Sequence, residues 1–204
     1  DQGGWSQARY QRGIEKEKDD HLKNTAEALM RHFKRRPFKR LITGGPREVV
    51  ADFEQKLHGY LRERLAGRIE VDVDTATADQ VLRAAQPRFE ELERERESEA
   101  LERLGERGAW GLEEVLRALS ERRVELLMLD EQFSEPGGQC PEDGWLGPLD
   151  ERRCPLDGTE LVHLDDLTDA AIELALQQSA GLLEVRHERD ALLANGGIAA
   201  LLRF

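Results

Sequence analysis

Phe38-Lys39-Arg40-Leu41-Ile42-Thr43-Gly44-Gly45-Pro46 is the stretch that decides the fold. Phe38–Thr43 reads as a buried strand, and Gly44-Gly45-Pro46 as a turn that opens a helix reaching about Leu65. Beyond it, Ile69–Val73 alternates apolar and acidic side chains, the period of a half-buried strand. Strand, helix and strand in this order predict a βαβ-type unit with parallel pairing, hence an α/β fold.

Upstream of this unit no proline occurs from Arg9 to about Arg36. Tyr10, Ile14, Leu22, Ala26, Leu29, Met30 and Phe33 recur at mostly helical intervals. A long helix is predicted, charged at its start, better buried near its end and stopped by Pro37. Residues 1–8, Gly-rich and polar, predict a loop ahead of it. Downstream, Thr77–Arg107 predicts a helix whose middle, Phe89–Arg103, is a bridge between domains or a solvated face. The domain boundary falls near residue 97, giving domains over 1–96 and 97–204.

A second αβ series follows Gly108. Leu112–Ser120 and Leu167–Ser179 read as helices, and Val124–Leu129, Leu182–Arg186 and Ile198–Phe204 as strands. An insert rich in Gly, Pro and Cys spans 132–160. The pattern predicts an α/β/α layer sandwich.

The 204 residues hold 39% hydrophobic residues, enough for packed cores, and carry a net charge of −12. That balance argues against broad nucleic-acid binding, but the charge is uneven. Residues 1–40 contain eleven Lys/Arg and six Asp/Glu, a balance of +5 that leaves −17 on the remainder. A basic front and an acidic back fit a protein that touches RNA with one end. No apolar run is long enough for a membrane helix and no signal peptide is present, so no membrane contact is expected. Two cysteines do not make a disulfide framework, and reduced thiols point to the cytoplasm. The start at Asp1 rather than Met reads as a fragment or processed product, with a segment upstream.

The chain opens with Gly3-Gly4-Trp5-Ser6-Gln7-Ala8-Arg9-Tyr10-Gln11-Arg12. At Gly3, Gly4, Ser6, Arg9, Tyr10 and Arg12 this resembles the Gly-Gly-Gln-Ser loop, then Arg, aromatic and Arg, of the archaeo-eukaryotic class-1 release factors. It departs at Trp5, where that family has its catalytic glutamine, and a glutamine stands two residues later at Gln7. Further matches run in family order. Leu41–Pro46, Phe53 and Leu57–Leu61 resemble the strand, Gly-Pro turn and helix after the loop. Ala109–Val115, Leu126–Leu129 and Gly196–Phe204 resemble the start, a strand and the closing strand of the third domain. The chain is similar to the bacterial release-factor-like branch, with Pelota and the peptidyl-tRNA hydrolases of ribosome quality control as relatives. The resemblance implies a partial RNase H-like middle domain lacking the strands before the loop, followed by a ribosomal-protein-like α/β/α domain. An unpaired sheet edge left by the missing strands implies pairing with a second copy.

The resemblance also implies an activity, hydrolysis of peptidyl-tRNA in termination, rescue or quality control, with the ribosome, peptidyl-tRNA or rRNA, and a translational GTPase as partners. No cofactor is implied. Peptidyl-tRNA is an activated ester and water is the nucleophile, so the catalyst must admit one water, orient it and stabilise an oxyanion. Gly3 and Gly4 would let the backbone enter a narrow cavity, Ser6 would add a hydrogen bond and Gln7 would position water. Trp5 would stack on a base or block the cavity. Arg9 and Arg12 would contact phosphates. The basic run Arg31, Lys34, Arg35, Arg36, Lys39 and Arg40 either complements a helix C-terminus or reaches RNA. The alternative activity is non-catalytic ribosome or tRNA binding, in which the loop occupies the site.

Gly137-Gly138-Gln139 lacks the following Ser, Arg and aromatic pattern and reads as an ordinary turn. Cys140-Pro141-Glu142-Asp143-Gly144 and Cys154-Pro155-Leu156-Asp157-Gly158 form a short repeat. Zinc ribbons use such knuckles with a second Cys where Asp143 and Asp157 stand, so a decayed ribbon that keeps its turns is expected ahead of a Cys₂Asp₂ metal site. His21, His32, His58, His163 and His187 show neither nucleophile nor metal spacing and read as surface or satisfied core residues.

Overall fold

A computed structural model describes residues 3–204, with the side chains of all but residues 3–6, 8 and 106. The chain divides into two units, the first ending at Leu92 and the second spanning Glu93–Phe204.

The first unit holds α1 (Gly3–Arg35), β1 (Leu41–Gly44), α2 (Arg47–Lys56), α3 (Gly59–Arg62), β2 (Leu65–Ile69) and the start of α4 (Ala78–Arg107). β1 and β2 pair in parallel, with Leu41 opposite Leu65 and Gly44 opposite Ile69. This is the expected βαβ unit. Its core joins Ala26 of α1 to Leu57 and Leu61, with Phe33, Phe38, Leu41, Phe53 and Leu65 packed around them. Ion pairs Lys18–Asp52 (2.6 Å) and Asp19–Lys56 (2.5 Å) fix α1 against α2 at the edge of that core.

The structure differs from the expected elements at two places. The expected loop over residues 1–8 is helical from Gly3 onward. No proline interrupts the run into α1, and extending an existing helix costs far less than starting one. The second strand is Leu65–Ile69, not Ile69–Val73. The predicted single helix breaks at Leu57 and ends with the short α3, so the chain reaches the sheet earlier. The Leu41 N–H donating to the Arg64 carbonyl at 2.6 Å then sets the register. The alternating valines still cover the turn: a Cβ on Gly44 would lie 3.0 Å from Val71 and one on Gly45 3.1 Å from Val73. Gly45, at φ +136°, needs glycine for its backbone as well.

The second unit holds the end of α4, then β3 (Gly108–Trp110), α5 (Leu112–Ser120), β4 (Val124–Asp130), β5 (Gly137–Gln139), β6 (Leu146–Pro148), β7 (Val162–Leu164), α6 (Thr168–Gln177), β8 (Gly181–Val185), α7 (Arg189–Leu193) and β9 (Ile198–Leu202). The main sheet runs β3-β9-β4-β8. β4 is parallel to β8 and antiparallel to β9, and β3 is antiparallel to β9.

Period-2 alternation builds the layers. Leu127, Leu129, Ile198 and Ala200 face Val115 and Leu119 of α5 and Ala171 and Ala175 of α6. Met128, Leu183, Val185, Ala199 and Leu201 face Ala100 and Leu104 of α4 and Leu192 of α7. The unit is therefore the α/β/α sandwich that the sequence predicts, and the chain is α/β. Glu97, buried on α4, accepts the backbone N–H groups of Arg186, His187 and Glu188 at 3.1, 2.8 and 2.9 Å.

The insert forms a separate three-stranded sheet, β6-β5-β7. Gly137-Gly138-Gln139, expected as a turn, is its central strand. A Cβ at Gly137 would lie 2.3 Å from Leu167 Cδ1 and 2.6 Å from the Gly147 carbonyl oxygen, so close packing rather than turning demands the glycine.

Candidate functional site

The residues that carry the release-factor resemblance sit at the start of α1. Gln7, Arg9, Tyr10 and Arg12 are all exposed, and Leu22 is the first buried residue described on the helix. The rise of an α-helix separates Gly3 from Leu22 by roughly 28 Å. The first half of α1 is thus an arm that the core holds only near its base. Arg9, Arg12 and Lys16, three and four apart, share one face of it, and Gln7, Tyr10 and Ile14 share another. Gly3, Gly4, Trp5 and Ser6 lie in the helix's first turn, but their side chains fall outside the described set.

The arm's base is anchored electrostatically. Lys23 and then Lys56 donate to Asp19 and hold its carboxyl down to about 2. Deeper in the unit, Thr43 Oγ1 donates to Glu54 Oε1 at 2.7 Å and Arg68 Nε donates to the same oxygen at 2.9 Å. Arg68, followed by Thr43, keeps the Glu54 carboxyl below the usual range against the opposing effect of burial. Ionised Glu54 thus links α2 to Thr43 of β1 and Arg68 of β2.

The second basic group stands at the other end of α1. Arg31 is within 3.9 Å of Glu27. Among the described residues, Lys34, Arg35, Arg36 and Lys39 are exposed and make no ion pair, and the half-buried Arg40 has no hydrogen-bond partner for its Nη1. Pro37 and Phe38 turn the chain so that Lys39 meets Phe33 and Arg64 around a hollow of about 520 Å³. Phe33 and Phe38 meet edge to face at 5.0 Å, and the Arg64 guanidinium lies 4.8 Å from the Phe33 ring centre. Arg64 is not legible in the sequence as a member of this group, because it is 24 or more residues from the basic run and only the parallel β1–β2 pairing brings it there. The predicted RNA contacts therefore form two groups. Arg12 and Arg35 are separated by roughly 35 Å along the helix.

In the insert the two predicted knuckles face each other. Cys140, Asp143, Cys154 and Asp157 each offer a ligand atom, and all four atoms lie within 4.8 Å of one another. Of the histidines, His58 Nδ1 accepts the Tyr60 N–H at 3.4 Å and His163 lies 3.2 Å from Asp165. His187 departs from the expected satisfied state: its buried Nε2 has no hydrogen-bond partner among the described residues, with Glu93 at 3.8 Å.

An exposed helical arm on a βαβ unit, followed in sequence by an α/β/α sandwich, is an architecture for which similar proteins are known, and the first part of the chain is similar to bacterial archaeo-eukaryotic release factors. Residues 1–90 match the model of bacterial archaeo-eukaryotic release factor family 10. Among solved structures, archaeal Pelota, from a model of ribosome-bound archaeal Pelota and ABCE1, is 20% identical over 91% of this chain and 49% of its own, with a TM-score of 0.57. Dom34 of S. cerevisiae, a translation termination-like factor involved in RNA quality control and interacting with Hbs1, is 13% identical over 91% of this chain and 52% of its own, with a TM-score of 0.53. The C-terminal domain of a peptide chain release factor from Methanosarcina mazei is 24% identical over 61% of this chain and 92% of its own, with a TM-score of 0.42. No curated protein matches the chain. The chain spans about half the length of the Pelota and Dom34 chains, and at these identities the likeness to them is one of fold. Among the described residues no helix is long and apolar enough to cross a membrane.

Proposed function

We propose that this chain acts at the tRNA site of the large ribosomal subunit and hydrolyses peptidyl-tRNA in termination, rescue or quality control. The observation that carries this reading is the exposed arm of α1, which presents Gln7, Arg9 and Arg12 away from the first unit's core. A catalyst that must enter a cavity of RNA needs such a slender projection, and Arg9 and Arg12 would meet phosphates along its walls. Water attacks the ester carbonyl carbon, the bond to the tRNA ribose oxygen breaks, and that oxygen leaves with a proton. Gln7 would orient the water through its amide. The first N–H groups of a helix lack intrahelical partners, and α1 has no acidic residue in its first turn. Those donors suit the oxyanion of the tetrahedral intermediate. Ser6 would assist by hydrogen bonding. The ribosome and peptidyl-tRNA or rRNA are the proposed partners, a translational GTPase would dock on the second unit, and the setting would be the cytoplasm.

One observation favours a second reading. Trp5 replaces the family's glutamine, and the backbone there continues as helix instead of looping. On that reading the arm occupies the tRNA site without chemistry, with Trp5 stacked on a base. The deciding measurement is peptide release from peptidyl-tRNA stalled on purified ribosomes, with the parent protein and its Gln7→Ala variant. Release that Gln7→Ala reduces at least a hundredfold supports hydrolysis. Cosedimentation with ribosomes and no release by the parent leaves the binding reading.

A further inference from the structure

The geometry points to a divalent metal site of the zinc class, built from Cys140, Asp143, Cys154 and Asp157, that clasps the insert of the second unit. Both halves are built alike. Cys140 N–H donates to the Trp145 carbonyl and Cys154 N–H to the Thr159 carbonyl, each at 2.8 Å. Gly144 and Gly158 donate back to the Cys140 and Cys154 carbonyls at 3.0 and 2.9 Å, with φ of +77° and +78°. Each turn therefore needs its glycine, and each folds the residue three places after the cysteine back beside the sulfur.

The carboxylates are aimed by the same device. Asp143 Oδ1 accepts the Trp145 N–H at 2.9 Å, and Asp157 Oδ1 accepts the Thr159 N–H at 2.8 Å. That leaves each Oδ2 facing the cysteine of the opposite turn: Asp143 Oδ2 is 3.4 Å from Cys154 Sγ, and Asp157 Oδ2 is 3.8 Å from Cys140 Sγ. Bonds of about 2.3 Å to sulfur and about 2.1 Å to oxygen, at tetrahedral angles, put such atoms roughly 3.6 Å apart. The two observed separations bracket that value. Backbone N–H groups on the non-ligating oxygens are the outer-shell support that fixes carboxylate ligands.

The burial pattern agrees. Both cysteines are buried, at 1% and 2% exposure, in a segment whose three strands have three residues each and little apolar core of their own. A thiol is a weak hydrogen-bond donor and supplies little cohesion to such a sheet. A metal bridging residues 140–143 and 154–157 would supply it. Two sulfurs select a borderline or soft ion over calcium or magnesium, and the two oxygens make this centre harder than an all-cysteine ribbon.

The test is metal content and spectroscopy of the full chain, purified without chelator. About one zinc per chain is expected. After exchange, cobalt(II) should give a thiolate-to-metal charge-transfer band that Cys154→Ser at least halves. Asp143→Asn with Asp157→Asn should lower zinc affinity at least tenfold, and chelator should lower the Tm of the natural chain. Less than a tenth of an equivalent of zinc, no thiolate band with cobalt and a Tm indifferent to chelator would overturn the site. So would a double Asp143→Cys, Asp157→Cys variant that binds one cobalt while the natural chain binds none.

Discussion

Arg189 grips Asp130 with both arms of its guanidinium, Nε to Oδ2 at 2.5 Å and Nη2 to Oδ1 at 2.9 Å, and the Asp130 side chain is only 1% exposed. The pair ties α7 to the end of β4. Asp130 also accepts the Gln132 N–H at 3.0 Å, and Arg189 reaches Glu131 at 3.2 Å. Breaking a buried pair costs several kcal/mol, but Arg189 keeps Glu131 and partial contact with water. Asp130→Ala should therefore destabilise the second unit by about 2 kcal/mol, below the full penalty for an orphaned buried charge. Urea denaturation checks it. A loss under about 0.5 kcal/mol would show that the pair is not a structural tie.

The same pair makes stability depend on acid. Arg189, helped by the Gln132 N–H, holds the Asp130 carboxyl below its ordinary value despite burial. Such a group stabilises the fold fully above its unfolded pKa, about 3.9, and loses that contribution as pH falls through the lower folded value. Glu54 behaves alike in the first unit. Tm should hold level from pH 7 to about 5 and fall below about 4. Asp130→Asn should make that fall shallower for the second unit. Equal slopes for variant and parent would remove Asp130 as a source of the acid sensitivity.

These ties are not legible in the sequence, whereas the elements they join mostly are. α5 has the limits the sequence predicts because Val115, Leu116 and Leu119 repeat at helical spacing and are all buried. β2 begins four residues ahead of its expected place because Val71 and Val73 keep strand alternation while covering a turn instead of joining the ladder. Three-residue strands such as β3, β5 and β6 carry too few positions to show any period. The site divides the same way. The cysteine knuckles are visible as a repeat. The placement of each Oδ2 depends on backbone turns, and the approach of Arg64 to Phe33 on a parallel pairing, neither of which spacing encodes.

Gly137→Ala tests whether the second Gly-Gly-Gln is structural. The added methyl meets Leu167 and the Gly147 carbonyl at distances that require backbone movement. Overpacking of this kind costs about 1–3 kcal/mol. Faster amide exchange in β5 and β6 should accompany it. Gln139→Ala should leave peptide release unchanged, in contrast to Gln7→Ala, and a release defect at Gln139 would move the chemistry to the insert.

Arg35, Arg36 and Lys39 stand exposed without ion-pair partners among the described residues, so replacing all three by Ala should leave stability within about 0.5 kcal/mol of the parent. If they touch RNA, the effect appears in salt dependence. Removing one phosphate interaction reduces the slope of log K against log salt by about 0.7–0.9. The triple variant should therefore bind ribosomes more weakly at low salt, with a slope shallower by roughly 2–3. The Arg9→Ala, Arg12→Ala pair should reduce the slope by roughly 1–2, because the arm supplies fewer charges. Arg12 has interactions of its own in the structure, so its replacement calls for a parallel Tm measurement. An unchanged slope in the triple variant, with binding intact, would assign the run to the α1 C-terminus, where cations offset the carbonyl end of the helix dipole.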